Sequence, residues 1–271
     1  MASLPTITRM ALFGFAALCL SACLATPAAA AAGVDVMKWT VDGAAREAIV
    51  VSPTKQDPSG KAPLIFAFHG HGDTMQGAAL GMQLQKYWPE AIVVYPQGLP
   101  TNPSTDPEGW GWVYNSDQGG QRDVKFVDAM LATLRGKFKV DDQRVYATGF
   151  SNGAVFTYEL WSARADIFAA FVVVAGRIGP AVHLAEPRPV LVVAGQADRT
   201  VNFKDQLAAI EVARAMNGAT ETGTACGGEC MMYASSKGAS VITYIHGGGH
   251  VYPPGTPYLT TQFFRQHTLA R

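Results

Sequence analysis

The segment 144–154 constrains the fold of this chain more than any other. It reads R-V-Y-A-T-G-F-S-N-G-A, in which β-forming residues lead into a Gly-x-Ser-x-Gly turn and then into a helical pattern. A strand that turns sharply into a helix, with a serine at the apex, is a nucleophile elbow. Glycines two residues before and after Ser151 leave room for the close approach of strand and helix. The segment therefore predicts that the Ser151 hydroxyl is lifted clear of a sheet, above the first amides of a helix.

Two further polar side chains follow predicted strands. Asp198 comes after the apolar run 189–195, and open α/β sheets place their sites at the carboxyl ends of parallel strands. His250 follows the strand pattern 241–246 and three glycines, where the chain must turn. Asp198 could instead cap the next helix, and Asp205 is a weaker candidate for the acid. The order serine, acid, histidine is the one found in α/β-hydrolases.

These residue types fit nucleophilic catalysis. A serine is a poor nucleophile until an imidazole takes its proton, and a carboxylate such as Asp198 fixes the tautomer of that imidazole. The oxyanion that forms needs preorganised amide donors. We expect these from the backbone N–H groups of Asn152 and His71, with Gly70 as the fallback for the second. The His-Gly-x-Gly pattern could instead bind a metal, but no Cys or acidic ligand lies beside it at zinc-like spacing, so we expect neither a metal nor a cofactor.

Composition is typical of one globular domain. The chain has 271 residues, of which 48% are hydrophobic and 15% charged, and no linker, repeat or low-complexity tract divides residues 33–271. Basic and acidic residues are equal at 21 each, without a basic patch, so nucleic acid is not an expected partner. We expect a monomer.

Residues 1–32 are predicted to be a targeting segment. The apolar stretch 10–20 follows Arg9 and is too short to span a membrane as a mature helix. The alanine-rich tract 28–32 offers cleavage positions for an ordinary signal peptide. The sequence L-S-A-C that ends at Cys23 equally resembles a lipoprotein processing site, which would make Cys23 the lipidated first residue and provide a lipid anchor. Both interpretations export the protein, to the periplasm, the cell surface or the medium.

Cys226 and Cys230, the two cysteines that lie beyond residues 1–32, are predicted to form a local disulfide. Their spacing, C-G-G-E-C, is not that of a Cys-x-x-Cys redox motif, and the two glycines allow a short loop to close. Export makes such a bond permissible.

Strand-like and helical patterns alternate along the rest of the chain. An Asp-Gly pair at 42–43 predicts an antiparallel hairpin at the start, and continuous apolar runs afterwards predict strands covered on both faces. Asp123 lies in the first turn of a predicted helix, where the macrodipole favours an acid. We therefore predict an α/β-hydrolase sheet of eight mostly parallel strands with helices on both faces. The predicted strands are 34–41, 46–51, 63–68, 91–95, 144–149, 169–175, 189–194 and 240–246, and the predicted helices are 121–138, 152–163, 203–216 and 258–268.

The segment 96–120 is predicted to be a long loop over the catalytic face, since it is rich in Pro, Gly and Asn. Its aromatic residues either wall a substrate pocket or merely anchor the loop. The candidates for pocket residues are Trp110, Trp112, Tyr114 and, after the histidine, Tyr252.

Several motifs resemble those of the secreted polyhydroxybutyrate depolymerase and feruloyl esterase family of α/β-hydrolases. The resemblance covers about residues 63–252 and implies a serine hydrolase whose triad is Ser151, Asp198 and His250. Ala154 stands where the family often has Gly, and V-Y-P-P follows the histidine where Trp-Pro is common. Because of these two differences, the resemblance does not identify the exact substrate. The matching segments are F-H-G at 68–70, V-V-Y-P-Q-G at 93–98, D-V-K-F-V at 123–127, D-D-Q-R-V-Y-A-T-G-F-S-N-G at 141–153, F-A-A at 168–170 and G-G-H at 248–250.

The resemblance implies an exported carboxylic ester hydrolase that acts through an acyl-enzyme on soluble or oligomeric esters. Candidate substrates are hydroxyalkanoate oligomers, feruloylated sugars and acetylated polysaccharide fragments. An acyltransferase that uses the same triad, with an alcohol in place of water, is one alternative. A non-catalytic surface binding protein is the other.

Overall fold

The computed structural model describes residues 1–2, 33–114 and 121–269. Strands and helices alternate along most of this part of the chain. In chain order the elements are β1 (Val34–Val41), β2 (Ala44–Val51), β3 (Ala62–Phe68), α1 (Met75–Met82), α2 (Leu84–Tyr87), β4 (Ile92–Pro96), β5 (Leu99–Asn102), β6 (Asp106–Gly111), α3 (Arg122–Lys137), β7 (Val140–Phe150), α4 (Asn152–Ala163), β8 (Ala170–Val174), β9 (Val190–Gly195), α5 (Phe203–Asn217), β10 (Thr224–Gly227), β11 (Cys230–Tyr233), β12 (Val241–His246) and α6 (Thr256–Arg265).

The main sheet has ten strands, in the order β1-β2-β4-β3-β7-β8-β9-β12-β11-β10. The six strands from β4 to β12 in this order are parallel, whereas the strands at both edges pair antiparallel. The predicted mostly parallel sheet is therefore confirmed, but it has two more strands than the eight predicted. The extra pair is the β10–β11 hairpin, whose four-residue strands are too short to give an alternating pattern.

The predicted disulfide lies in that hairpin. Cys226 and Cys230 are bonded across its turn, with their Cα atoms 5.1 Å apart. The turn contains Gly227 and Gly228, both with positive φ, a conformation that glycine adopts without strain. The disulfide thus closes a local loop at one edge of the sheet.

Helices cover both faces of the sheet, as predicted. Side chains of β3 alternate between the two faces: Phe66 and Phe68 pack in the core beneath α3, α4 and α5, whereas Ile65 and Ala67 pack beneath α1, α2 and α6. The sequence patterns predict neither α1 nor α2. Both are short, and Thr74 caps α1 by accepting the amide of Gly77 at 3.1 Å.

The predicted loop 96–120 contains a second, two-stranded sheet. Strands β5 and β6 form a hairpin that the Pro- and Gly-rich sequence conceals. Gly98 is required there because its Cβ would meet the backbone of Gly111 at 2.5 Å, and a Cβ on Gly111 would meet Asn152 Oδ1 at 2.8 Å. The hairpin packs closely on the loop after β3, where the Gly72 amide donates to the Trp110 carbonyl at 2.8 Å.

Asp123 is buried, not at a solvent-exposed helix end. Its Oδ1 accepts from Arg46 Nη2 at 2.7 Å, and the two side chains are 0% and 1% exposed. Its Oδ2 accepts from the Val113 amide at 2.8 Å and from Arg122 Nε at 3.2 Å. One carboxylate therefore connects β2, α3 and the segment that follows the β5–β6 hairpin.

Residues 3–32 lie outside the described residues, and with them nearly all of the predicted targeting segment and the candidate lipidation site Cys23. In the described part of the chain, no helix has the length and apolar character needed to cross a bilayer.

Candidate active site

Ser151 occupies a strained turn between β7 and α4. Its φ is +54° and its ψ is −118°, and its amide donates to the Val174 carbonyl at 2.9 Å. A Cβ on Gly149 would overlap the backbone of Gly153, and a Cβ on Gly153 would overlap the Phe68 carbonyl. Both glycines are thus needed for the close strand–helix approach that the sequence predicts, and the turn exposes the serine at the carboxyl edge of the sheet.

The side chains of Ser151, His250 and Asp198 form a continuous hydrogen-bonded series. His250 Nε2 lies 2.8 Å from Ser151 Oγ, and His250 Nδ1 lies 2.8 Å from Asp198 Oδ2. The Asp198 side chain is fully buried, whereas the His250 side chain is 19% exposed. With the proton on Nδ1, the ring donates to the carboxylate and its Nε2 is free to accept the serine proton.

Asp198 is held by further donors. Its Oδ1 accepts from the amides of Thr200 and Val201 at 2.9 and 3.0 Å, and its Oδ2 accepts from Gln206 Nε2 at 2.9 Å. Helix α5 begins at Phe203, so the amides that Asp198 accepts belong to the loop before the helix, and Asp198 is not the N-cap of α5. The alternative acid, Asp205, is exposed on α5.

The loop after β12 carries His250 over the serine. The Ala197 amide donates to the Gly248 carbonyl at 3.0 Å, which ties this loop to the one that holds Asp198. The Phe150 ring lies beneath the imidazole, with centroids 5.0 Å apart, and Tyr252 contacts the edge of Phe150 at 6.0 Å. These contacts fix the orientation of the imidazole ring.

The two residues whose amides are expected to form an oxyanion hole both line the cleft beside Ser151. Asn152 is the first residue of α4, and His71 lines the same cleft as Ser151. Among the described residues, no backbone carbonyl accepts from either amide.

The Asn152 side chain has a second role that the sequence analysis missed. Its Oδ1 accepts from the Trp112 amide at 2.7 Å and its Nδ2 donates to the Trp112 carbonyl at 3.1 Å. This pair of bonds joins the serine turn to the aromatic segment. No local sequence signal marks it, since the partners are 40 residues apart.

The cleft beside Ser151 has a volume of about 640 Å³. Of the four predicted pocket residues, Trp112 and Tyr114 line it, but Trp112 is fully buried and its ring packs against Phe68 and Phe156. Trp110 instead lines a separate groove beside Trp39, and Tyr252 lies behind the histidine, against Phe150. The cleft is lined by His71, Thr101, Asn102, Trp112, Val113, Tyr114, Ser151, Asn152, Val155, Arg177, Thr200 and Val201.

His69 supports the cleft from below. Its buried ring contacts the Gly70 carbonyl through Nδ1 at 2.7 Å and accepts the Gly98 amide through Nε2 at 2.9 Å, which requires the neutral ring. Its own carbonyl accepts from Trp112 Nε1 at 2.9 Å. Burial lowers the pKa of His69, which favours this neutral form.

Solved structures with similar architecture include esterases. The acetyl xylan esterase from Aspergillus awamori aligns with a TM-score of 0.63 at 16% identity, covering 85% of this chain and 99% of that one. A ferulic acid esterase from Anaeromyces mucronatus aligns with a TM-score of 0.60 at 15% identity, covering 87% and 90%. The fold and the Ser-His-Asp arrangement together define the class: this is an α/β-hydrolase fold.

Sequence relatives confirm the predicted resemblance to the feruloyl esterase and polyhydroxybutyrate depolymerase family. A probable feruloyl esterase C from Aspergillus clavatus is 30% identical over 177 residues, which cover 65% of this chain and 62% of the relative. Poly(3-hydroxyalkanoate) depolymerase C from Paucimonas lemoignei is 32% identical over 132 residues, 45% of this chain and 30% of the relative. The chain thus spans less than two thirds of the length of either relative. No family model matches the sequence.

Proposed function

We propose that this chain is a carboxylic ester hydrolase in which Ser151 is the nucleophile, His250 the general base and Asp198 the orienting acid. The observation that carries the proposal is the pair of 2.8 Å contacts that joins these side chains beside an open cleft. The names of the sequence relatives, feruloyl esterase and poly(3-hydroxyalkanoate) depolymerase, support ester hydrolysis as the reaction.

The first half-reaction forms an acyl-enzyme. Ser151 Oγ attacks the ester carbonyl carbon while His250 Nε2 takes the hydroxyl proton, and the C–O bond to the alcohol breaks as that proton passes to the leaving oxygen. The second half-reaction repeats these steps with water as the nucleophile and releases the acid. The buried Asp198 carboxylate stabilises the imidazolium that forms in each step.

The oxyanion of each tetrahedral intermediate would be stabilised by backbone amides. We assign this role to the N–H groups of Asn152 and His71 because both residues line the cleft and no backbone carbonyl in the described chain accepts from either amide. The Asn152 amide gains from its place at the N-terminus of α4, where the helix dipole favours negative charge.

Soluble or oligomeric esters are the proposed substrates. The cleft has about 640 Å³ of space and combines Tyr114 with polar side chains, which suits a molecule of a few residues or sugar units. Feruloylated or acetylated sugars and hydroxyalkanoate oligomers meet this description.

We also propose that the protein is exported. The pattern of residues 1–32 and the disulfide between Cys226 and Cys230 support an oxidising destination. Intact-mass analysis of the mature protein tests this. A chain that begins at Cys23 and carries lipid, or one that begins after the alanine tract, supports export, and an unprocessed chain in the cytoplasm contradicts it.

The test of the reaction is a Ser151→Ala variant assayed with a short nitrophenyl ester. We expect hydrolysis to fall to background with the melting temperature nearly unchanged, since the substitution removes one hydroxyl. Ser236→Ala, which alters an exposed serine on another loop, is the matched control and retains full activity. Retained activity in Ser151→Ala contradicts the proposal.

A further inference from the structure

One charged residue in the cleft has no part in the proposed triad. Arg177 lines the Ser151 cleft and is half-buried. It is the only Lys or Arg among the described residues that line this cleft, and none of them is Asp or Glu. The described lining of the cleft therefore presents one permanent positive charge.

The guanidinium of Arg177 lacks a carboxylate partner within the described chain. None of the ion pairs among the described residues includes it. Its one hydrogen bond is a long contact of 3.5 Å to the carbonyl of the adjacent Ile178. Asp205 lines the adjoining hollow together with Arg177 but forms no ion pair with it. A half-buried cation that has no ion-pair partner among the described residues is partly desolvated, so an anionic ligand would gain by binding there.

The backbone before Arg177 is built to place it in the cleft. Ala175, directly after β8, has a φ of +51°, which is strained for a residue with a Cβ. A Cβ on the next residue, Gly176, would overlap the Ala154 side chain of α4. The buried Ala175 amide still donates to the Val193 carbonyl at 2.9 Å. The chain therefore bends sharply beside the serine turn, and Arg177 is the first residue beyond the bend.

Other residues of the cleft provide further polar groups. Tyr114 lies against this segment, because a Cβ on Gly179 would meet its ring at 2.9 Å. Asn102 and Thr200 line the same cleft as Arg177 and can donate hydrogen bonds to an anion. A guanidinium that shares a cleft with such donors can bind a carboxylate in a bidentate manner.

We propose that Arg177 determines substrate specificity by binding a carboxylate on the ester substrate. This inference rests on the proposed function of Ser151. It favours esters that carry a free acid, either the terminal carboxylate of a hydroxyacid oligomer or a uronic acid on an acylated sugar chain, over neutral esters of the same size.

The experiment compares kcat/KM for two matched substrate pairs. The first is a 3-hydroxybutyrate trimer and its C-terminal methylamide, and the second is an acetylated xylo-oligosaccharide with and without a glucuronic acid substituent. We expect the wild-type protein to prefer the anionic member of one pair about tenfold or more, because hydrogen bonds to charged groups contribute more than neutral ones. The pair that shows the preference identifies the source of the carboxylate.

Substitutions then assign the preference to this side chain. Arg177→Met should remove it while changing kcat/KM for the neutral members less than about threefold, and Arg177→Lys should retain part of it, since lysine keeps the charge but not the bidentate fork. Arg199→Met is the matched control, because Arg199 is exposed nearby and does not line the cleft. It should leave the preference intact.

Two results overturn the inference: no preference for either anionic member in the wild type, or a preference that survives in Arg177→Met. Neither result affects the proposed reaction as long as the neutral members are hydrolysed and Ser151→Ala abolishes that hydrolysis. If none of the four substrates is hydrolysed, that result would instead contradict the proposed function.

Discussion

Replacing Asp123 by Asn tests how much stability depends on the buried pair with Arg46. The two side chains are 0% and 1% exposed and 2.7 Å apart, so asparagine leaves the Arg46 charge uncompensated away from water. Removing one partner of a buried ion pair costs about 3–5 kcal/mol. For a chain of this size we therefore expect the melting temperature to fall by about 6–20 °C.

The size of the stability loss distinguishes a buried ion pair from the helix-dipole role that the sequence suggests for Asp123. If Asp123 acted only as an acid in the first turn of α3, its loss would cost about 0.3–1 kcal/mol. Asp205→Asn is the matched control, because Asp205 lies in the first turn of α5 and is exposed. Urea unfolding followed by circular dichroism gives both free energies.

The reasoning is refuted if Asp123→Asn loses less than about 1 kcal/mol, no more than the Asp205→Asn control. A double replacement, Arg46→Met with Asp123→Leu, adds a second check. It should cost less than Asp123→Asn alone because no unpaired charge stays buried. A double variant that is less stable than the single variant would contradict the account.

Three further outcomes are expected. Gly153→Ala should abolish soluble expression, because its Cβ would overlap backbone carbonyls at the end of β3. The control Gly136→Ala, in an open part of α3, should raise stability by about 0.5–1 kcal/mol. Soluble, fully active Gly153→Ala protein would contradict the geometry of the elbow. Burial lowers the pKa of His69 from its ordinary 6.5, so the unfolded chain binds a proton at this residue before the folded chain does. The free energy of unfolding should therefore fall as the pH drops below 6.5, and less steeply in His69→Gln. A free energy of unfolding that rises over this range in urea unfolding would contradict the prediction. Replacing Cys226 and Cys230 together by Ser should lower the free energy of unfolding by roughly 2 kcal/mol in the same assay. Ester hydrolysis should be unchanged, since the hairpin lies at the sheet edge. Loss of hydrolysis would show that the hairpin shapes the cleft.

The central sheet was predictable because buried parallel strands leave a strong local signal. The continuous apolar runs gave β8, β9 and β12 to within one residue at each end, and the elbow sequence gave α4 from Asn152 to Ala163. The β5–β6 hairpin left no such signal. Its strands contain Pro and Gly, and it is held by contacts with the distant loop after β3, such as the bond between Gly72 and Trp110.

The candidate site was predictable in its chemistry but not in its supports. Ser151, Asp198 and His250 each follow a recognisable strand, so their order and positions could be inferred along the chain. The Asn152 side chain on Trp112 and the Gln206 side chain on Asp198 could not, because both bonds depend on how distant elements pack. The aromatic residues illustrate the same limit. Trp110 and Trp112 are only two positions apart, but Trp112 lines the cleft and Trp110 lines a different groove.

Covalent labelling with a fluorophosphonate tests most directly whether the serine is an activated nucleophile. Peptide mass spectrometry of the labelled native protein should find a single adduct, on Ser151, and His250→Gln should slow its formation by at least two orders of magnitude. An adduct on another residue, no adduct at all, or labelling of Ser151 that is independent of His250 would contradict the account.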